Sequence, residues 1–313
     1  MRIVFFGTPE FAVASLDRLV KNGHDIAGVV TMPDKPAGRG HKMLFSDVKK
    51  YALEHNLPLF QPVKLRDPEF LEALRALHAD LFVVIAFRML PEAVWGMPPK
   101  GTFNLHGSLL PKYRGAAPIN RAIMKGEKET GVTTFFLTHE IDTGDIISSR
   151  SIIVGDDEDA GSVHDRLMEI GAELVSENVK AIEEGTVTSV PQPEGDFTPA
   201  PKIFKEDCRI VWNAPARKVH DQIRGLAPYP AAFSTLVEGE GRRLDIKILK
   251  AVPVRLDAEL PEPGEVKVEG RRMFVAANDG FLEILELQPA GKKRMAARDF
   301  LLGYHPVKFL AEA

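Results

Sequence analysis

The chain has very little cysteine and no long apolar run. Cys208 is the one cysteine among 313 residues, which excludes a disulfide framework and a cysteine-based metal site. No stretch approaches the roughly 20 apolar residues that a membrane-spanning helix needs. Met1 leads directly into an apolar run and Gly7, without the basic region and cleavage site of a secretory signal. These absences predict a cytoplasmic protein without membrane association.

A large excess of positive charge is also absent. The 40 lysines and arginines are outnumbered by 44 aspartates and glutamates, which gives a formal net charge of −4. Nucleic-acid-binding domains are commonly strongly basic. Any contact with nucleic acid is therefore expected to depend on local basic patches rather than on the overall charge.

The glycines of a dinucleotide-binding fingerprint are missing after the first predicted strand. Gly7 is followed by Thr8, Pro9 and Glu10 rather than by the further glycines that let a pyrophosphate approach the backbone. A glutamate at the start of the following helix also repels phosphate. A nicotinamide- or flavin-dependent oxidoreductase is therefore disfavoured.

Apolar strands and amphipathic helices alternate from Met1 to about Val190. The run 81–86 is apolar at every position, as expected for a central parallel strand that is buried on both faces. Residues 163–182 carry one apolar stripe at helical spacing. This alternation predicts an α/β domain with a doubly wound parallel sheet over residues 1–189.

The character of the chain changes after residue 190. Residues 190–201 are dense in proline, which predicts a linker that we place at 190–205. Beyond it, several short strands separated by glycine turns predict a small β-barrel or sandwich over residues 206–313.

Asn104 and His106 are the most informative pair of polar residues. They are two residues apart at the end of a predicted strand, so their side chains point to the same face. Open α/β sheets bind ligands at the carboxyl ends of their strands. An asparagine amide can stabilise a developing oxyanion, and a histidine moves protons near neutral pH. A capping asparagine beside a surface histidine is the structural alternative.

Asp142 is a candidate partner for that histidine. An aspartate can orient a histidine and stabilise its charged form. The sequence Asp142-Thr143-Gly144-Asp145 is also good turn chemistry, so a purely structural turn is the alternative. No serine or cysteine nucleophile motif accompanies these residues, and the histidine spacing fits no zinc site, so we expect no metal.

Basic residues are concentrated in two kinds of place. Residues 33–42 form a proline- and glycine-rich loop that carries Lys35, Arg39 and Lys42, which could bind phosphates. The C-terminal region has basic clusters at predicted turns, among them Lys292 and Lys293. Small barrels bind oligonucleotides on one face, but neighbouring glutamates make an ordinary charged surface an equal alternative.

Several stretches together are typical of one enzyme family. They are residues 6–12, 33–40, 60–62, 104–111, 113–118, 129–133, 142–145 and 287–293. Over essentially its full length the sequence resembles the folate-dependent formyltransferases, and among them the methionyl-tRNA formyltransferases. The stretches 104–111 and 142–145 are shared by the whole family and specify the chemistry. The loop 33–40 and the stretch 287–293 are similar to the branch that acts on tRNA.

The resemblance implies a Rossmann-like formyltransferase domain followed by a smaller, OB-like β-barrel that helps to bind tRNA. It implies formyl transfer from 10-formyltetrahydrofolate to the α-amine of methionine on initiator methionyl-tRNA. Asn104 and His106 would stabilise the oxyanion, His106 would move a proton, and Asp142 would hold His106. The loop 33–42 would meet the acceptor stem.

The resemblance also implies the folate site, with one departure from the family pattern. After the central strand the chain has Ala86-Phe87-Arg88-Met89-Leu90-Pro91, one residue shorter than the usual family stretch and without its glycine. This version is closer to the glycinamide-ribonucleotide branch. The expected folate-binding residues are Arg88, Met89, Leu90, Ser108, Leu109, Leu110 and Pro111.

Two alternatives to tRNA formylation stay open at this level. A formyltransferase acting on an amino-sugar nucleotide shares the stretch 106–111 and a barrel-like second domain, and the basic loop 33–40 and the stretch 287–293 both disfavour it. A nucleic-acid-binding protein with a degenerate enzyme domain is disfavoured because Asn104, His106 and Asp142 are all present. We expect a monomer.

Overall fold

The fold is described from a computed structural model that covers residues 1–37, 42–195, 197–239 and 241–310, with the side chains of Ala37 and Lys42 left out. The predicted tRNA contact Arg39 therefore lies outside the described residues, and only the backbone of Lys42 lies within them.

The first eleven strands, which belong to the N-terminal two-thirds of the chain, are β1 (Arg2–Gly7), β2 (Asp25–Val30), β3 (Lys35–Ala37), β4 (Lys42–Leu44), β5 (Leu59–Phe60), β6 (Leu81–Ile85), β7 (Thr102–His106), β8 (Arg114–Gly115), β9 (Glu129–Phe136), β10 (Ile146–Ile153) and β11 (Pro199–Ala200).

Seven of these strands form one sheet in the order β10-β9-β7-β6-β1-β2-β5. The strands from β7 to β5 pair in parallel, and every residue of β6 is buried. A strand covered on both faces has no polar side to present, which is why its sequence is a continuous apolar run. The predicted α/β fold with a parallel sheet is thus confirmed. β9 joins β7 in the antiparallel direction, and β10 forms the edge.

Side chains cap the N-termini of some of the helices. Ser46 accepts a hydrogen bond from the amide of Lys49 at 3.0 Å, and Asp67 accepts one from the amide of Glu69 at 3.1 Å. Such caps satisfy amides that have no partner within the helix. The eight α-helices of the described chain are α1 (Glu10–Lys21), α2 (Asp47–Glu54), α3 (Pro68–Ala76), α4 (Glu92–Trp95), α5 (Pro118–Met124), α6 (Ala160–Glu184), α7 (Ala216–Leu226) and α8 (Ala297–Phe300).

The C-terminal region is an antiparallel β-barrel that is nearly closed. Its strands are β12 (Ala232–Glu238), β13 (Arg243–Val254), β14 (Val266–Glu269), β15 (Arg272–Ala276), β16 (Phe281–Pro289), β17 (Met295–Ala296) and β18 (Pro306–Phe309). They follow the order β14-β15-β16-β13-β12-β18, with β17 beside β16. The amide of Phe309 donates to the carbonyl of Gly264 at 2.7 Å, which brings the two ends of the sheet together. The predicted barrel is therefore confirmed.

The barrel core is centred on a wholly buried tryptophan. Trp212 stacks on Phe309 with 5.2 Å between ring centroids. Its indole N–H donates to the hydroxyl of Ser234 at 3.1 Å, so burial leaves that donor satisfied. The core therefore combines a large apolar surface with one paired polar contact.

The chain forms two compact units whose boundaries cut across the sequence. One unit comprises Met1–Gly115, Gly131–Ile152 and His164–Pro199, and the other comprises Ala116–Thr130, Ile153–Val163 and the chain from Ala200 onward. The domain boundaries 1–189, 190–205 and 206–313 stay a prediction from the sequence.

Candidate active site

The carboxyl ends of three central strands meet at one edge of the sheet. Gly7 of β1 pairs with Ile85 of β6, and Ile85 pairs with Leu105 of β7. Gly7 packs so closely that a Cβ there would lie 2.7 Å from the Cβ of Ala12. The tight turn into α1 therefore needs glycine, because any side chain at this position would clash with Ala12. The ends of β1, β6 and β7 lie side by side at this edge.

β7 presents its two predicted catalytic side chains at this edge. Asn104 is half-buried, and His106 is 6% exposed. The Oδ1 atom of Asn104 is buried and has no hydrogen-bond partner among the described residues. A buried polar atom without a partner is costly, so a ligand that completed the hydrogen bonding of Asn104 at this edge would be favoured. Thr8, which follows β1 at the same edge, has a buried hydroxyl in the same condition.

The tautomer of His106 follows from its contacts. Its Nε2 lies 2.8 Å from the carbonyl oxygen of Tyr113. A carbonyl can only accept a hydrogen bond, so Nε2 carries the proton and donates. In the neutral ring, Nδ1 then carries the lone pair. Nδ1 faces Oδ2 of Asp142 at 3.8 Å.

The loop after β7 is folded by one threonine. The hydroxyl of Thr133 donates to the carbonyl of Ser108 at 2.7 Å and accepts from the amide of Leu110 at 3.0 Å. The hydroxyl of Ser108 donates to the carbonyl of Lys112 at 2.7 Å. The bond between Leu110 and Pro111 is cis. These contacts fold the loop so that the carbonyl of Tyr113 lies within hydrogen-bond distance of Nε2 of His106.

Asp142 is held in an unusual backbone conformation. Its φ is +55°, in the left-handed region that costs most residues energy. Its Oδ2 accepts a hydrogen bond from the amide of Gly115 at 2.9 Å, and its side chain is 13% exposed. The structure therefore brings Asp142 and His106 together across about 36 residues of sequence.

Gly144 allows the turn that carries Asp142 to approach β9. A Cβ at this position would lie 1.7 Å from the carbonyl oxygen of Phe136, which no side chain can tolerate. The amide of Phe136 also donates to the carbonyl of Asp145 at 3.1 Å, which holds this turn against β9. The glycine is thus required by close backbone contact.

Two residues that sequence reasoning missed support the same turn. Gln192 donates from Nε2 to the carbonyls of Asp142 and Gly144, both at 2.9 Å. Arg114 in turn donates to Oε1 of Gln192. Gln192 lies in the proline-rich segment interpreted as a linker, and nothing in its local pattern indicates a contact about 50 residues away.

The predicted folate residues divide by where their side chains lie. Arg88 donates from Nη1 to the carbonyl of Val63 at 2.8 Å and from Nη2 to the carbonyl of Pro62, and burial lowers the pKa of its guanidinium. Leu90 packs in the apolar core, whereas Met89 is 70% exposed. Ser108 and Leu110 are buried, and Leu109 and Pro111 are half-buried.

The base of the predicted RNA loop is anchored by an ion pair. The ammonium of Lys49 lies 2.5 Å from Asp34, and Gln61 donates to the same carboxylate at 2.8 Å. These two hydrogen bonds, that of Lys49 first, lower the pKa of Asp34. Lys35 is the next residue and is exposed on β3, which pairs with β4.

The remaining predicted RNA residues, Lys292 and Lys293, are exposed in the turn after β16. That turn is closed by the amide of Lys292, which donates to the carbonyl of Pro289 at 3.0 Å. Within the described part of the chain, no group of three or more histidine, cysteine or acidic residues is arranged to hold a metal ion. No helix within the same residues has the length and apolar character to cross a membrane.

Comparison with known families covers most of the chain. Residues 1–179 match the formyl transferase family, and residues 202–305 match the formyl transferase C-terminal domain. A methionyl-tRNA formyltransferase of Bacteroides fragilis is 55% identical over 310 residues, which is 97% of this chain and 95% of that protein. One of Flavobacterium johnsoniae is 48% identical over 304 residues, with 97% and 96% covered.

Solved structures share the fold at much lower identity. The N-formyltransferase from Helicobacter canadensis, in complex with folinic acid and dTDP-3-aminofucose, is 20% identical with a TM-score of 0.66 over 94% of this chain and 99% of that one. HypX from Aquifex aeolicus, in complex with tetrahydrofolic acid, is 20% identical with a TM-score of 0.65 over 96% of this chain and 47% of that one. At this identity the likeness concerns the fold alone.

Proposed function

The chain belongs to the methionyl-tRNA formyltransferases, and we propose that it transfers a formyl group from 10-formyltetrahydrofolate to the α-amine of methionine on initiator tRNA. The observation that carries the proposal is the arrangement of Asn104, His106 and Asp142 at the carboxyl edge of the sheet. His106 is fixed through Nε2 with Nδ1 towards the carboxylate, and Asn104 has a buried polar atom without a partner among the described residues.

This arrangement suits acyl transfer to an amine. The folate supplies the activated formyl group when it is bound. The attacking amine is itself the nucleophile, so the protein needs no serine or cysteine. It needs a proton acceptor, stabilisation of the negative charge that develops on the formyl oxygen, and accurate placement of both substrates.

His106 is the proton acceptor in this mechanism. Its Nδ1 has a lone pair because Nε2 donates to the carbonyl of Tyr113. When Nδ1 takes the proton of the attacking amine, the ring becomes cationic, and the carboxylate of Asp142 stabilises that charge from 3.8 Å. The protonated ring and the N–H groups of Asn104 then face the developing oxyanion. When the bond between the formyl carbon and the folate nitrogen breaks, His106 returns its proton to that nitrogen, and tetrahydrofolate leaves.

The folate is held beside these residues. The unpartnered Oδ1 of Asn104 and hydroxyl of Thr8 fit a polar ligand at the strand ends. Arg88 turns its guanidinium towards the carbonyls of Pro62 and Val63, which leaves the backbone of the short stretch 88–90 to bind the pterin. Met89 offers an exposed apolar side chain for the ring. Residues 108–111 line the other side.

The tRNA is bound through local basic patches. Lys35, Arg39 and Lys42 would contact the acceptor stem, and Lys292 and Lys293 would contact another part of the tRNA. Phosphate contacts of this kind give affinity that falls steeply with salt. The protein acts as a monomer in the cytoplasm, where charged tRNA is available.

The acceptor is charged tRNA rather than an amino sugar. Relatives named methionyl-tRNA formyltransferase are 46–55% identical to this chain, whereas the sugar N-formyltransferases of known structure are about 20% identical. At the lower identity the likeness shows the fold alone and gives no support for an amino-sugar acceptor.

The test is a direct formylation assay. The purified protein is incubated with 10-formyltetrahydrofolate and initiator tRNA charged with methionine, and formyl-methionine is measured. Uncharged tRNA and a 4-amino-sugar nucleotide are run in parallel. We expect formylation of the charged tRNA alone. Formylation of the sugar alone would overturn the acceptor and the role of both basic patches.

A further inference from the structure

Gln192 uses all of its hydrogen-bonding capacity within one unit of the protein. Its amide nitrogen has two hydrogens, and these go to the carbonyls of Asp142 and Gly144. Its oxygen accepts from Nη2 of Arg114 at 2.6 Å and from Nε at 3.2 Å. A side-chain amide with every donor used and its oxygen doubly bonded is fixed in orientation.

The hydrogen bonds of Gln192 form a closed circuit around Asp142. The amide of Gly115 donates to the Asp142 carboxylate, and the neighbouring Arg114 donates to Gln192. Gln192 donates to the backbone carbonyl of Asp142. Both parts of Asp142 are thus connected to β8. Its carboxylate bonds directly to Gly115, and its backbone carbonyl is linked through Gln192 to Arg114.

The segment that carries Gln192 is itself fixed. Val190 and Ile146 exchange two backbone hydrogen bonds, at 2.8 and 2.9 Å, at the start of β10. On the other side, the guanidinium of Arg114 lies 4.9 Å from the ring centroid of Phe197. Residues 190–195 and Phe197 are therefore part of the site's framework, although their composition is that of a linker.

We infer that Gln192 is a positioning residue that holds the carboxylate of Asp142 beside Nδ1 of His106. The inference rests on the proposed function of that pair. Asp142 has a left-handed backbone, and a strained conformation persists only when its surroundings over-determine it. The two donors of Gln192 hold both carbonyls that flank Thr143. Without them the turn is free to relax, and the carboxylate leaves the position 3.8 Å from Nδ1.

A role in linker packing alone predicts a different outcome. Removing a packing contact lowers stability but leaves the chemistry of the folded fraction unchanged. Removing a positioning contact lowers kcat in folded protein, because small displacements of reacting groups are expensive in rate. It also changes the pH dependence of the reaction, because that dependence reflects the His106–Asp142 pair.

The experiment compares Gln192→Ala and Gln192→Glu with wild type, using the full-length protein in the formylation assay. The glutamate keeps an oxygen for Arg114 but faces the two carbonyls with a second oxygen instead of donors. We expect kcat to fall roughly 10- to 100-fold in both variants, with each KM changed less than about twofold. Glu194→Ala, an exposed residue of the same segment, is the matched control and should keep wild-type rates. Thermal unfolding confirms that each variant is folded.

A double-mutant cycle then identifies the route of the effect. Adding Gln192→Ala to Asp142→Asn should lower kcat less than about twofold further, because the carboxylate that Gln192 positions is already gone. The pH profile of Gln192→Ala should move towards that of Asp142→Asn. The inference would be overturned if the double variant lost kcat by the product of the two single losses. It would also be overturned if both Gln192 variants kept the wild-type kcat.

Two measurements distinguish failure of the proposed function from failure of this inference. They are the activity of the wild-type protein and a spectroscopic readout that needs no substrate. If wild type does not formylate methionyl-tRNA, the acceptor assignment is wrong. The histidine ring resonances, with His106 assigned by their loss in His106→Ala, then test the inference. Gln192→Ala should change them in the same direction as Asp142→Asn. Unchanged resonances in Gln192→Ala alone would reject the positioning role.

Discussion

Two buried histidines, one in each compact unit, show what distinguishes a reactive site from a structural one. His106 is 6% exposed and His220, in α7, is 1% exposed. Each has a carboxylate within 4 Å, Asp142 for the first and Asp157 for the second. Burial beside an acid is therefore common to both and does not identify the catalytic residue.

The surroundings of the two rings differ. His106 donates through Nε2 to a carbonyl and turns Nδ1 towards an acid at the ligand edge of the sheet. His220 is desolvated and lies near the guanidiniums of Arg217 and Arg224, and these causes, burial first, lower its pKa to about 4. A ring held neutral by burial and by two cations suits packing. A ring whose protonated form meets a carboxylate suits proton transfer.

The largest expected effect tests the catalytic role of the first of these histidines. His106→Ala or Asp142→Ala should lower kcat by about 10³-fold or more, because each removes the proton acceptor or its stabilising charge. Binding of charged tRNA should stay nearly unchanged, since neither side chain belongs to the basic patches. Turnover is measured by formyl-methionine production, and binding by filter retention.

The matched control for that loss is His220→Ala. This variant should keep kcat within about twofold in the fraction that is folded. A loss at His220 as large as at His106, or near-normal turnover in either active-site variant, would contradict the division between the two histidines.

Asn104→Ala should have the next largest effect. Removing one donor to a developing oxyanion typically costs about 10²- to 10³-fold in kcat. The Oδ1 atom of this amide is also buried without a partner in the described chain, so its loss should not destabilise the fold. A variant that melts at the wild-type temperature with kcat lowered a hundredfold supports the role. A fall in stability without a fall in kcat indicates a structural amide instead.

The sequence predicts the elements of the fold wherever burial leaves a local pattern. β6 is apolar throughout because both faces are covered, and its bounds are close to the predicted run 81–86. β18 has one buried residue, Phe309, and so carries little apolar signal of its own. Its place is set by pairing with β12 and by the hydrogen bond of Phe309 to Gly264, some 45 residues earlier, and no local pattern records either contact.

The same limit applies to the site. Period-two spacing places Asn104 and His106 on one face, and the family resemblance adds Asp142. The supports of that group are a backbone carbonyl at Tyr113, a backbone amide at Gly115 and the side chain of Gln192. Backbone groups are present at every residue, so sequence alone does not say which of them is used.

The structural role assigned to His220 predicts how the stability of the fold depends on pH. The pKa of His220 is about 4 in the folded protein and about 6.5 when unfolded, so the unfolded state binds the proton more readily. The stabilising contribution is complete above pH 6.5 and is lost as the pH falls from 6.5 through 4. The loss is at most roughly 3 kcal/mol.

Urea unfolding at several pH values measures this contribution. His220→Gln should flatten the fall in stability between pH 6.5 and 4. His139→Gln, at a ring that is 71% exposed, is the control and should leave the fall unchanged. An equally steep fall in His220→Gln would assign the acid sensitivity to other groups.

The smallest expected effect concerns the basic patches, where no single residue dominates. Neutralising Lys292 and Lys293 together as glutamines should weaken binding of charged tRNA several-fold at physiological salt and leave kcat unchanged. Each lost phosphate contact lowers the slope of log K against log salt by about 0.7 to 0.9. The matched control is Lys21→Gln with Lys180→Gln, two lysines that are 71% and 73% exposed on α1 and α6. If both pairs change the slope equally, the effect is one of general charge. If only the pair in the turn after β16 changes it, this turn contacts RNA, and the barrel contributes to substrate binding while the sheet edge performs the chemistry.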